Sequence, residues 1–227
     1  MIGGFLMTPR KDFIESLNSL KNEVLRMGSE VEGMVTKSID ALVKQDDDAA
    51  NAVINYDDNI DYMCEQIEDR CIRLCATQAP LAGDLRIVFA LNKMATDLER
   101  MADLACDISE STIMMSGEKY IKPLLDIPQM ARIATKMLSD CLDAFINDNI
   151  EMVHQIYEKD KEVDALFDQV IRELLTYALE KPGSMNQVMN LMFVARNLER
   201  IGDHVTNVCE WTYYYVTGDR LVTHNKV

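Results

Sequence analysis

Leu98-Glu99-Arg100-Met101-Ala102-Asp103 and Leu198-Glu199-Arg200-Ile201-Gly202-Asp203 stand 100 residues apart in the chain. Ala95 recurs at the same offset as Ala195, and Glu110 as Glu210. Upstream the offset is 103: Ile39-Asp40-Ala41 returns as Leu142-Asp143-Ala144, and Asp57, Ile60, Asp61, Glu65 and Gln66 return as Asp160, Val163, Asp164, Asp168 and Gln169. A three-residue length difference between two halves accounts for both offsets. So many matches in one order mark an internal duplication.

The text around the repeats is helical. Apolar residues recur at three- and four-residue steps, as in Ile14, Leu17, Leu20, Val24, Met27, Val31, Met34 and Val35. Pro9, Pro80, Pro123, Pro128 and Pro182-Gly183 fall between such stretches, where proline is tolerated. Gln45-Asp46-Asp47-Asp48 and Asn147-Asp148-Asn149 are polar breaks. The punctuation predicts six helices, near residues 10–44, 48–77, 83–115, 127–146, 150–180 and 184–216. The fold class is all-α: two tandem three-helix bundles in an elongated six-helix protein, one repeat over 10–115 and the other over 127–216, joined near 116–126. Helices of about 30 residues run about 45 Å, and short connections make neighbours antiparallel.

Composition narrows the function. The 227 residues carry a formal net charge of −15, with aromatic residues at 7% and 15 methionines. Such a chain has no basic face for nucleic acid or for anionic lipid. No apolar run reaches the length of a membrane span, and Met1 to Arg10 has no signal-peptide pattern. Ile2 to Leu6 reads as a short extension. The six cysteines, Cys64, Cys71, Cys75, Cys106, Cys141 and Cys209, form no C-x-x-C pair. They read as small thiols in a reducing cytoplasm.

The duplicated positions are largely acidic. Residues four apart share a helical face. Glu99, Asp103 and Asp107 therefore form a stripe flanked by Glu110, and Glu199, Asp203, Asn207 and Glu210 form its counterpart. Asp57, Asp61, Glu65 and Glu68 make a second stripe in the first half, and Asp160, Asp164 and Asp168 its equivalent. Stacked like charges repel by a few tenths of a kcal/mol per pair, so a counter-charge is expected. One candidate is arginine, with Arg86, Arg100, Arg196 and Arg200 available. The other is a hard cation, Mg²⁺, Ca²⁺, Mn²⁺ or iron, held by oxygen ligands. The metal reading assigns Asp57, Asp61, Glu65, Glu99, Asp103, Asp107, Asp160, Asp164, Asp168, Glu199, Asp203 and Asn207 as ligands. His204 points away from Asp203 around its helix and reads as a supporting or packing residue; His224 lies in a tail.

Paired E-x-x-x-D motifs on the last helix of each half, each preceded by a D-x-x-(I/V)-D helix (Asp57 to Asp61, Asp160 to Asp164), resemble the PhoU family. Met27-Gly28 with Val31-Glu32, and Ala79-Pro80-Leu81-Ala82-Gly83-Asp84-Leu85-Arg86, add to the likeness, which spans about residues 10–216. The resemblance implies a non-enzymatic regulator of phosphate uptake that represses the phosphate-starvation response. It implies action through a phosphate ABC transporter ATPase and a PhoR-type sensor kinase, as a homodimer, in the cytoplasm or at the inner membrane face through those partners. It also implies a multinuclear metal cluster on the E-x-x-x-D surfaces, with iron foremost. Asn207 departs from the pattern where the first half has Asp107. Two alternatives stand beside this: a ferritin-like di-iron enzyme, for which Glu151-x-x-His154 occurs only once, and a metal-free scaffold whose acidic faces dock basic partners.

Overall fold

A computed structural model describes residues 9–221. The signal-peptide and extension readings at the start, and His224, lie outside the described residues. The described chain is helical, with no strand among those residues: α1 Pro9–Lys44, α2 Asp47–Ile54, α3 Asp57–Gln78, α4 Ala82–Met114, α5 Asp126–Ile146, α6 Ile150–Glu180 and α7 Met185–Thr217, with a short 3-10 turn at Pro182–Ser184.

All six predicted stretches are present, and the second is broken. Asp46 caps α2, its carboxylate accepting the Ala49 N–H at 2.9 Å. The helix stops after Ile54, where Asn55 and Tyr56 turn the chain and Asp57 and Asp58 open α3. Acids favour a helix N-terminus through its dipole. The corresponding positions in α6 are Glu158, Lys159, Asp160 and Lys161, three of them good helix formers, and α6 runs through without interruption. Lys161 pairs with Glu158 there at 2.7 Å.

The amphipathic faces meet in one core that extends from Phe13 in α1 to Tyr215 in α7. Leu20, Met27, Met34, Leu91, Met94, Leu98 and Met101 are fully buried in it. Each such side chain contributes about 1.5–3 kcal/mol relative to exposure. α4 and α7 pack along one another, and α1 bridges the halves by touching both α4 and α5. Gly28 lets the helices approach closely at that bridge: a β-carbon there would lie 2.7 Å from Leu142 Cδ2, and the leucine side chain would have to shift. Asp140, buried on α5, ties down α6 through Lys159 at 2.6 Å and also bonds Lys136 at 2.5 Å.

The connection between the halves is pinned at both sides. Tyr120 donates its hydroxyl to the Leu42 carbonyl at 2.5 Å, and the Ile121 N–H reaches the buried Gln187 of α7 at 2.6 Å. α7 ends on Gly218, left-handed at φ 86°, whose N–H bonds the Tyr214 carbonyl at 3.0 Å. Replacing Gly218 with Ala forces a β-carbon into that conformation. It should cost about 1 kcal/mol, read as a fall of roughly 2–4 °C in thermal midpoint.

Candidate functional site: the acidic faces and the polar seam

The first-half acids converge where α3 lies beside α4. Asp57, Asp103 and Asp107 line a cavity of about 350 Å³ together with Cys106, Arg100 and Arg200, the last contributed by α7. Asp57 is half-buried, and its Oδ1 is enclosed with no hydrogen-bond partner. Desolvation, then the charges of Asp61 and Asp103, raise the Asp57 carboxyl above its ordinary value. Glu99 is raised by desolvation and then by Asp103. Asp107 is raised by desolvation and then by Glu110 and Asp103, with Arg200 opposing. Burial pushes the neighbouring Cys106 thiol up to about 12. The α3 and α4 stripes therefore share one groove and repel each other across it. Asp61 and Glu65 stand at its exposed margin.

Arginine supplies much of the counter-charge, both from the same helices and, at Asp107, from Arg200 of the neighbouring α7. Arg100 meets Glu99 at 3.4 Å and Asp103 at 2.9 Å. In the second half Arg196 meets Glu199 at 2.7 Å. Asp160 lies against the α7 backbone between Glu199 and Asp203, in space that exists because residue 202 is glycine: a β-carbon on Gly202 would stand 2.9 Å from Asp160 Oδ1. Asp164 and Asp168 are exposed on α6, and Asp203 is half-buried on α7.

The multinuclear metal cluster expected from the sequence is corrected by this geometry. Among the described residues no group of three or more His, Cys, Asp or Glu side chains is placed to hold a metal ion. The stripes run along the helices and do not close on one point, and Arg100 and Arg196 pair with Glu99, Asp103 and Glu199. Iron, manganese, magnesium and calcium therefore have no such donor set among the described residues. The di-iron alternative meets the same obstacle: His154 of the Glu151-x-x-His154 pair packs its ring near Tyr213, with centroids 6.2 Å apart.

Asn207 faces a different partner altogether. Its amide donates to Asp97 Oδ1 at 3.1 Å, across the seam between α7 and α4. The same carboxylate meets His204 Nδ1 at 2.9 Å and accepts from Trp211 Nε1 at 3.2 Å. Asp97, with 14% of its side chain exposed, thus fastens three groups of α7. Sequence reading found His204 as a supporting residue and passed over Asp97. The available signal was three polar-capable side chains, His204, Asn207 and Trp211, at helical spacing on α7. The cysteines lie as expected of packing thiols: Cys64, Cys71, Cys141 and Cys209 are buried and all six are free.

Among the described residues, no helix is long and apolar enough to cross a membrane. Comparison with known proteins gives a consistent result. The family model for the PhoU domain matches residues 24–112 and again 127–212. A phosphate-specific transport system accessory protein PhoU homolog of Clostridium acetobutylicum is 40% identical over 213 residues, covering 93% of this chain and 97% of that protein. The PhoU accessory protein of Escherichia coli is 35% identical over 206 residues, covering 91% and 86%. In three dimensions the chain superposes on the crystal structure of PhoU from Pseudomonas aeruginosa with a TM-score of 0.88 at 32% identity, covering 91% of this chain and all of that one. The phosphate transport system regulatory protein PhoU from Streptococcus pneumoniae gives 0.87 at 27% identity over 93% of this chain. With the helical architecture, the duplicated acidic helices and two matched domains in agreement, the chain belongs to the PhoU family, a family of regulatory, non-catalytic proteins.

Proposed function

We propose that this protein is a cytoplasmic adaptor that restrains phosphate uptake and the phosphate-starvation response by contacting a phosphate transporter ATPase and a PhoR-type sensor kinase. It acts at the inner membrane face only through those partners, and it works as a homodimer. Each repeat, 10–115 and 127–216, contributes one acidic face. In this reading the residues assigned from sequence, Asp57, Asp61, Glu65, Glu99, Asp103 and Asp107 with Asp160, Asp164, Asp168, Glu199 and Asp203, dock basic protein segments.

The observation that supports this most directly is the frustrated groove at Asp57. One of its carboxylate oxygens is enclosed with no hydrogen-bond partner, and the Asp57, Glu99 and Asp107 carboxyls are all raised, by desolvation first and mutual charge second. A lysine or arginine from a partner would relieve both conditions, forming a charge-assisted bond where repulsion now stands. The relatives' names, phosphate-specific transport system accessory proteins, support a phosphate transport system as the setting.

The test is co-purification. The tagged protein, in phosphate-rich medium, is expected to retain the transporter ATPase or the sensor kinase. That retention should fall steeply between low salt and about 0.5 M salt, as a charge-steered interface does. Retention of neither partner at low salt would reject the adaptor role.

A further inference from the structure

Two buried thiols meet inside the second half. Cys209 of α7 donates its S–H to the sulfur of Cys141 on α5, with the two sulfurs 3.0 Å apart. Cys141 in turn directs its thiol at the Val205 carbonyl, 3.9 Å away. Both cysteines are 0% exposed. Cysteines distant in sequence can be bridged only where their side chains point at one another, and two sulfurs in contact meet that condition. A disulfide bond is about 2.05 Å long, so about 1 Å of closure separates this pair from a covalent link. Cys71, by contrast, turns its thiol to the Val88 carbonyl at 3.7 Å.

The duplication adds a second observation. The 103-residue offset places Ser38 where the second half has Cys141, and the 100-residue offset places Ser109 where it has Cys209. Both serines are also 0% exposed, and each bonds a carbonyl of its own helix, that of Val35 at 2.8 Å and that of Ala105 at 3.0 Å. Serine and cysteine differ by one atom, so either fills such a site. Yet sulfur stands at both positions of one half and at neither of the other. Packing gives no reason for that matching, because each serine serves its own helix. A reaction that needs two sulfurs does.

We propose that Cys141 and Cys209 form a disulfide whose presence is decided before α5 and α7 close and is then sealed in by their packing. The oxidant is a small-molecule disulfide such as oxidised glutathione. One cysteine, as thiolate, attacks it and releases one glutathione; the second cysteine then displaces the other glutathione from the mixed disulfide. The S–S bond of the oxidant is broken, that of the protein is made, and two glutathione thiols carry away the two electrons and two protons. In the folded chain both directions are blocked. Oxidation needs a thiolate, and burial, followed by the bond to Cys141, raises the Cys209 thiol well above its ordinary value. A reductant has no path to sulfurs with no exposed surface. The link fastens α5 to α7 around the whole of α6, while the first half, with serines, is indifferent to redox conditions. This inference does not depend on the acidic groove or on any docking partner.

The test is refolding of the full chain from denaturant in a mixture of oxidised and reduced glutathione, followed by alkylation of free thiols and peptide mapping by mass spectrometry. The expected product joins Cys141 to Cys209. Its thermal midpoint should stand roughly 5–10 °C above that of the chain refolded in reductant, because the bond closes a long loop. Two exposures of folded protein test the seal. The folded reduced chain, placed in the same mixture, should keep both thiols about tenfold longer than the partly exposed Cys75 keeps its own. The folded disulfide form should resist reductant about tenfold longer than the same form in denaturant. Cys141→Ser combined with Cys209→Ser reproduces the pair present at Ser38 and Ser109, so it should fold and show no oxidant-dependent rise. A chain that does not refold is mapped instead after synthesis in an oxidising and in a reducing bacterial cytoplasm, with the same expectation. Absence of the joined peptide, joining of either cysteine to another, or an undiminished rise in the double variant overturns the pairing. Folded protein oxidised as fast as Cys75, or reduced as fast as the unfolded form, overturns the seal.

Discussion

Asp97→Ala should lower the thermal midpoint by roughly 6–12 °C, an effect far larger than that of removing any exposed acid. The carboxylate bonds His204, Asn207 and Trp211, all on α7. Only 14% of the Asp97 side chain and 20% of that of His204 are exposed. Truncation leaves three polar groups without their acceptor in a largely desolvated seam. At about 1 kcal/mol each the loss is about 3 kcal/mol, and a chain of this size loses roughly 2–4 °C per kcal/mol. Asp97→Asn keeps one acceptor oxygen and should lose about half as much. Glu162→Ala, on the exposed face of α6, should change stability by less than about 0.5 kcal/mol. Scanning calorimetry on the three variants checks this, and an Asp97→Ala midpoint within 2 °C of the parent would show that the seam does not depend on this residue.

Asp57→Asn combined with Asp103→Asn should have opposite consequences for stability and for function. The parent groove holds carboxyls whose folded values lie above their ordinary ones, through desolvation first and neighbouring charge second. For such a group the sign is fixed. Below the ordinary carboxylate range, near pH 4, it is protonated whether the chain is folded or not and contributes nothing. As pH rises through that range and past the folded value, ionisation is harder in the folded state, and stability is lost. These acids therefore destabilise the protein at neutral pH, and the penalty is relieved on mild acidification. Asp140 works the other way: although burial alone would raise it, its bonds to Lys136 and Lys159 hold it below the ordinary value. Its contribution is present above that ordinary value and disappears as pH falls. The double variant removes Asp57 and the Asp103 charge that raises Glu99 and Asp107, at the loss of the exposed Arg100–Asp103 pair. The difference between variant and parent should therefore be a gain in stability at pH 7 that shrinks toward pH 4. Solvent reaches the groove, which keeps the gain small, about 0.5 kcal/mol. Capture of the transporter ATPase or sensor kinase, in contrast, should fall tenfold or more, because each lost charge-assisted contact is worth about 1.5–3 kcal/mol. A variant that is less stable than the parent at pH 7, or that captures its partner undiminished, contradicts the docking role.

How much of this was legible in the sequence differs between the backbone and the site. The helices could be read because proline and polar breaks stand at their ends, and because the spacing of Leu91, Met94, Leu98 and Met101 matches a buried face. The break before Asp57 could not, since Asn55-Tyr56 interrupts a helix only when tertiary packing asks it to turn. The acidic faces were legible as faces: periodicity places Glu99, Asp103 and Asp107 on one side of a helix. It does not tell whether such a row closes on a point or runs along a groove, and that distinction separates a metal site from what the structure contains. Asp97 was out of reach for a different reason. Its partners lie 107 to 114 residues away, and a helical wheel drawn for α4 alone contains no record of which face of α7 lies opposite.

Arg200 gives the two halves a common stake in what binds. It belongs to the α7 copy of the duplicated motif, yet its guanidinium lines the groove built by Asp57, Asp103 and Asp107, and it also borders the cavity beside Asn197. A cationic segment arriving at Asp57 must share the field of Asp107 with Arg200 or push it aside. A shift of Arg200 alters the wall of the neighbouring cavity. One arginine thus stands in the walls of two neighbouring cavities.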